Sequence, residues 1–261
     1  MPIQQIYTGS PLRNFTYLLP AADGGAIAID PYQSEQLIGH LKPGQKITHI
    51  INTHEHADHT CGNAGLVERF APRVHAHENA HGVPGMTDDL RGGESFELSG
   101  GRRLEVLYTP GHTFAHVTLV IREGPRALSV ITGDTLFNAG VGNCYNGGDP
   151  GTLFESMQAV YYGLPDDVRV YPGHDYLQNN LKFTLHYETQ NTDARELLER
   201  ISRPGSRPVI STIGLERAIN MFFRLENPEI RERLQREVPG FPERPAARQV
   251  FLALRSLRDR W

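Results

Sequence analysis

The pattern of hydrophobic and polar positions divides the chain in two. Up to about His174, short runs rich in Val, Ile, Leu and aromatic residues alternate with Gly, Pro, Asp and Asn clusters, as strands do between turns. This predicts strands at 3–7, 15–19, 26–29, 47–52, 73–77, 95–98, 104–109, 117–121, 127–132 and 168–171. Helices are fewer: 34–41, 63–70 and 152–162, the last because Leu153, Met157 and Val160 recur at helical spacing. Beyond His174 the strong β runs stop, and helices are predicted at 179–189, 192–203, 215–225, 228–236 and 245–260. Thr192 and Asp193 suit the N-cap of the second, and Pro228 and Pro245 suit the first turns of the last two. The pattern predicts an α/β body over 1–174 and a helical domain over 175–261.

Composition narrows the class. With 39% hydrophobic and 21% charged residues, the 261-residue chain is an ordinary globular one able to bury a sizeable core. A net charge of -4 argues against electrostatic attachment to nucleic acid or to an anionic membrane. No run approaches the roughly 18 apolar residues of a membrane helix. The start of the chain, Met-Pro-Ile-Gln-Gln-Ile-Tyr, lacks the basic then apolar layout of a secretory signal. A cytoplasmic location is expected, with Cys61 and Cys144 reduced.

The chemistry lies in the placement of the histidines. The strand at 47–52 runs into Thr53-His54-Glu55-His56-Ala57-Asp58-His59. An extended backbone points His54 and His56 the same way, whereas Asp58 and His59 are neighbours and need a turn to aim together. Three more strands break at Gly and present one ligand each: Gly111-His112, Gly133-Asp134 and Gly173-His174. Five histidines and two aspartates exceed the three ligands of a single open zinc site and suit two divalent ions with a bridging carboxylate. Without cysteine among the ligands, zinc, iron or manganese fits better than a soft metal.

These residues resemble the binuclear metallo-β-lactamase pattern, His54-x-His56-x-Asp58-His59 with His112, Asp134 and His174. Within that superfamily, Gly133-Asp134-Thr135-Leu136-Phe137, Tyr171-Pro172-Gly173-His174-Asp175-Tyr176, Asn179-Asn180-Leu181-Lys182-Phe183 and the helical C-terminal part most resemble the glyoxalase II (hydroxyacylglutathione hydrolase) family. The resemblance implies an αββα sandwich of two mixed sheets flanked by helices, with a helical C-terminal domain. It assigns His54, His56 and His112 to one metal, Asp58, His59 and His174 to the other, and Asp134 to the bridge, with zinc the foremost metal. Asp58 would also orient the attacking hydroxide. The implied reaction is hydrolysis of S-(2-hydroxyacyl)glutathione, such as S-lactoylglutathione, the second step of methylglyoxal detoxification. No nucleic acid, membrane or obligate protein partner is implied.

The substrate carries two carboxylates, and the last 21 residues hold five Arg against Glu243 and Asp259. The resemblance makes Arg255 and Arg258 carboxylate partners and Tyr145 and Tyr176 contacts of the peptide. Where the family commonly has Lys or Arg before the tyrosine loop, this chain has Asn143, a neutral and therefore weaker contact. A superfamily relative, such as a single-iron persulfide dioxygenase, a lactonase or a β-lactamase, is the runner-up. His116, four residues after His112, leaves two roles open, a hydrogen-bonding support of the site or a residue with no part in it; His75 and His77 are read as structural or surface residues, and Cys61 as a small buried residue.

Overall fold

The computed structural model describes residues 3–205 and 208–261. Two six-stranded mixed sheets pack face to face. The first runs in chain order: β1 (Gln4–Tyr7), β2 (Phe15–Pro20), β3 (Ala26–Ile29), β4 (Ile47–Ile51), β5 (Arg73–His77) and β6 (Asp88–Leu90), antiparallel up to β3 and parallel from there. The second takes β7 (Ser95–Leu98), β8 (Arg102–Tyr108), β9 (Val117–Glu123) and β10 (Arg126–Gly133), antiparallel in succession. A hairpin of β11 (Leu136–Phe137) and β12 (Gly140–Val141) follows. Then β13 (Arg169–Pro172) pairs parallel to β10, and β14 (Ser211–Thr212), from the C-terminal part, pairs antiparallel to β13.

Alternation builds the layers. In β8, Leu104 and Val106 point inward while Arg103 and Glu105 face out, the period-2 signature of a strand with one core face. Phe15, Tyr17, Leu19, Ile27 and Ile29 of the first sheet meet Leu104, Val106, Leu119 and Ile131 of the second in the central core. The four residues of β3 are all buried because the other face of that sheet is covered as well, by α1 (Ser34–Ile38) and α3 (Asn63–Phe70). The outer face of the second sheet, Val120, Val130, Val168 and Val170, lies under C-terminal helical residues Phe222, Phe251 and Leu254. The architecture is the αββα sandwich with a helical C-terminal part.

Most predicted elements form within a few residues of their predicted bounds. The helix predicted at 152–162 is α4 (Pro150–Ser156) continued by a π-helical stretch, Met157–Tyr161. The C-terminal helices are α5 (Leu177–Tyr187), α6 (Thr192–Ile201), α7 (Ile213–Ile219), α8 (Pro228–Glu237) and α9 (Ala247–Arg258). Two caps differ from expectation. Asn191, not Thr192 or Asp193, caps α6 by accepting from the Ala194 amide, and Pro245 precedes Ala246, the N-cap of α9. Cys61 is exposed rather than buried: it is the C-cap of the short helix over 57–60, and its thiol donates to the Tyr32 carbonyl at 3.0 Å. Among the described residues no helix is long and apolar enough to cross a membrane.

Candidate metal centre

The strands β4, β8, β10 and β13 end at one edge of the sandwich, and each is followed by ligand-bearing residues. His54 and His56 follow β4, His112 follows β8, Asp134 follows β10 and His174 follows β13. The turn required of Asp58 and His59 is a short helix, α2 (Ala57–Thr60), which swings both back toward the other ligands. Three sets converge, the donor atoms of each within 4.8 Å: His54, His56 and His112; Asp58, His59 and His174; and His54, His59 and Asp134. The seven residues expected from the sequence are thus brought to one place.

The hydrogen bonds fix how each imidazole faces that place. His112 Nδ1 meets the Asn143 carbonyl at 2.6 Å, His174 Nδ1 the Leu12 carbonyl at 2.7 Å and His56 Nε2 the Asn146 carbonyl at 3.2 Å. A carbonyl only accepts, so these ring nitrogens carry the protons. His59 Nδ1 donates to Asp30 Oδ2 at 3.0 Å. The Thr53 hydroxyl gives its proton to Asp30 Oδ2 and so accepts from His54 Nδ1. The opposite nitrogen of each ring is therefore the one turned inward. These nitrogens lie close: His54 Nε2 to His56 Nδ1 3.0 Å, His112 Nε2 to His56 Nδ1 3.1 Å, His59 Nε2 to His174 Nε2 3.2 Å. Divalent ions set among them would take these nitrogens, deprotonated, as ligands.

Asp134 spans the two triads. Its Oδ2 lies 3.5 Å from His112 Nε2 and 3.2 Å from His174 Nε2, and its Oδ1 lies 3.5 Å from His59 Nε2. Oδ1 is buried with no hydrogen-bond partner, an acceptor without a donor, as a metal-bridging oxygen would be. Gly173 keeps the space open, since a Cβ there would run into Asp134 Oδ1 and His59. The field is set for positive charge. Burial works to lower the His59 imidazole, but Asp134, Asp30 and Asp58 outweigh it and push it up to about 9. Asp134, though burial opposes its charge, is held well below the carboxylate range by His174, His59 and His112. Burial drives His54 well below the ordinary imidazole range, helped by the neighbouring histidines.

Two supports escaped the sequence. Asp30, just after β3, is buried and receives the Thr53 amide, the Thr53 hydroxyl and His59. Asn14 donates to Asp58 Oδ2 at 2.8 Å. Of the two roles open to His116, the structure shows the supporting one: its Nε2 accepts from the Asp134 amide at 3.0 Å, and its Nδ1 faces the Thr109 and Thr135 hydroxyls. His75 pairs with His49 at 2.9 Å and His77 stacks on Tyr108, so neither joins the centre.

The chain over residues 11–174 matches the family model described as "Metallo-beta-lactamase superfamily", and residues 175–261 match "Hydroxyacylglutathione hydrolase C-terminus". It is 42% identical to a hydroxyacylglutathione hydrolase from Nitrosococcus oceani and 40% identical to one from Polaromonas sp., each alignment covering 100% of both chains. The chain belongs to the hydroxyacylglutathione hydrolase family. The metallo-β-lactamase from Staphylococcus aureus superposes with a TM-score of 0.65 at 22% identity, over 98% of this chain and 71% of that one, and shares the fold. With that fold and this His/Asp cluster, the hydroxyacylglutathione hydrolase homologue is a metal-dependent hydrolase whose ligands suit divalent ions.

The residues expected at the substrate end of the cleft divide. Arg258 is half-buried, donates to Asn180 Oδ1 at 3.1 Å and lies over the Phe183 ring, with no carboxylate partner among the described residues. Tyr176 stacks on His174 with ring centroids 4.9 Å apart. Tyr145 is 64% exposed and donates from its hydroxyl to the Asp259 carbonyl at 3.1 Å. Asn143 is held by both ends, its carbonyl on His112 and its Oδ1 on the Tyr145 amide. Arg255 departs from expectation. It is 4% exposed, and its guanidinium is taken up by the Val141 and Gly142 carbonyls and by Asp259. The resemblance makes it a carboxylate partner of the substrate, but α9 turns it onto the backbone at the end of β12, so Arg255 clamps Val141 and Gly142 to the helix.

Proposed function

We propose that this chain hydrolyses S-(2-hydroxyacyl)glutathione thioesters to glutathione and a 2-hydroxy acid in the cytoplasm, using a pair of divalent ions, zinc foremost and iron or manganese also suited. The observation that carries this reading is the set of five inward-turned imidazole nitrogens with the unpartnered Asp134 Oδ1, in a chain alignable end to end with relatives of that name. His54, His56 and His112 would hold one ion, Asp58, His59 and His174 the other, with Asp134 between. Two such ions would lower the pKa of water and polarise the thioester carbonyl.

The remaining work falls to the protein. Asp58, partly exposed and with Oδ2 3.5 Å from both His59 Nε2 and His174 Nε2, would orient the attacking water. The departing thiolate is a good leaving group, so no side chain need protonate it. The body over 1–174 carries the ligands, and the part over 175–261 supplies Arg258 and Tyr176 to the glutathione moiety, joined by Tyr145 and Asn143. Arg258 has the free charge for a carboxylate.

Metal analysis coupled to a panel of lactoyl, other hydroxyacyl and simple acyl glutathione thioesters tests the proposal. The expected result is two ions per chain and hydroxyacyl hydrolysis that chelation abolishes and metal restores. A fully loaded protein that leaves every glutathione thioester intact refutes it. Oxygen consumption with glutathione persulfide would move the chain to persulfide dioxygenase chemistry instead.

A further inference from the structure

Asn14 ends the loop between β1 and β2, more than forty residues from any ligand it serves, and is 1% exposed. Its amide nitrogen donates to Asp58 Oδ2 at 2.8 Å and to the Asp58 carbonyl at 3.3 Å, and its Oδ1 accepts from Ser10 Oγ at 2.6 Å. The same loop also grips His174. Leu12 offers its carbonyl to His174 Nδ1 at 2.7 Å, Asn14 bridges His174 through the backbone, and Arg13, in the left-handed region at φ 62°, pairs with Asp175 at 2.8 Å. One short segment thus bonds two members of the Asp58, His59 and His174 set, and no hydrogen bond runs from it to His54, His56 or His112 among the described residues.

The contact falls on the oxygen that matters. Asp58 Oδ2 is the atom 3.5 Å from His59 Nε2 and from His174 Nε2. A carboxylate oxygen has two lone-pair sites, and an amide donor on one fixes the direction of the other. A neutral donor does this without the positive charge of Lys or Arg, which would compete with a cation for the carboxylate.

We propose that Asn14 is a positioning residue that sets the affinity of the Asp58, His59 and His174 position for a divalent cation, and leaves the His54, His56 and His112 position unchanged. The inference rests on the two-ion reading above. The test is zinc titration of the full chain against a chromophoric chelator, comparing wild type with Asn14→Ala and Ser10→Ala. The expected result is an unaltered first equivalent and a second weakened 10- to 100-fold in Asn14→Ala, with a smaller loss in Ser10→Ala, which keeps the amide and removes only its orienting hydroxyl. Excess zinc then restores kcat in the variant, as it would not if the loop had merely been damaged. If Asn14→Ala fails to fold, Ser10→Ala carries the same comparison. Folded variants in which both equivalents weaken together, or neither does, overturn the proposal. A wild type that binds two equivalents but hydrolyses no thioester refutes the proposed function alone; one that binds a single equivalent refutes the ion pair and this inference together.

Discussion

Replacing Arg258 with Met separates charge from packing. The thioether side chain keeps an apolar stem against the Phe183 ring, which the guanidinium now overlies at 5.8 Å, and removes the only charge that residue offers. Because Arg258 has no carboxylate partner among the described residues, nothing of opposite charge is left stranded by the change. A charge-assisted hydrogen bond to a substrate carboxylate contributes about 1.5–3 kcal/mol, which at about 1.4 kcal/mol per decade corresponds to a roughly 10- to 100-fold loss in kcat/KM. The glutathione carboxylates do not change during reaction, so the loss should fall on KM with kcat nearly constant. Losing the bond to Asn180 and the cation–π contact costs about 1 kcal/mol of stability, too little to unfold the chain. The assay is steady-state kinetics with S-lactoylglutathione and with an analogue whose glycine carboxylate is amidated. Wild type should lose on the amidated substrate what Arg258→Met loses on the normal one, and the variant should scarcely distinguish the two. A variant KM within about twofold of wild type, or equal discrimination by both proteins, refutes the assignment of that carboxylate to Arg258.

Asn143→Lys should lower KM for glutathione thioesters by roughly 3- to 10-fold, with metal content unchanged because the position 143 carbonyl still receives His112; kinetics paired with metal analysis check both. Glu216 is buried and accepts from Ser211, Asn138, Asn220 and the Ala139 amide, so Glu216→Ala leaves donors unmet and should cost about 3–5 kcal/mol, against about 1–2 for Glu216→Gln, in urea unfolding. Burial, with Arg73 and His49 nearby and Asp88 opposing, lowers His75 from the ordinary imidazole range to about 4. A folded pKa below the unfolded one means that stability is intact above pH 6.5 and is lost as pH falls toward 4. Discounted for solvent screening, the loss is about 1–2 kcal/mol, and unfolding free energies at pH 7 and 4.5 should show a shallower decline in His75→Gln than in wild type.

The candidate ligand set was legible because one strand runs straight into His54-x-His56-x-Asp58-His59 and three others stop at a glycine followed by a ligand, as Val170 and Tyr171 lead to Gly173 and His174. Even the need for a turn at Asp58 and His59 could be read from their adjacency, and α2 supplies it. What stayed hidden depends on pairing across the fold. The strand β6 is three residues, two of them Asp, and exists because β5 offers it a parallel partner. Asp30 and Asn14 carry no local mark of their role, since their partners lie far along the chain. Arg255 shows the same limit: the resemblance assigns it to a substrate carboxylate, whereas the backbone of Val141 and Gly142, more than a hundred residues earlier, takes up its guanidinium.

The pairing of Ser211 and Thr212 with Arg169 and Val170 has a practical consequence for anyone dividing the gene. A fragment ending at residue 174 would keep all seven candidate ligands, yet it would bare the unpaired backbone of β13 and the valines at 120, 130, 168 and 170 together. An open sheet edge beside an uncovered apolar face is a template for self-association. Such a fragment should therefore aggregate during expression, even though the candidate metal centre it carries is intact.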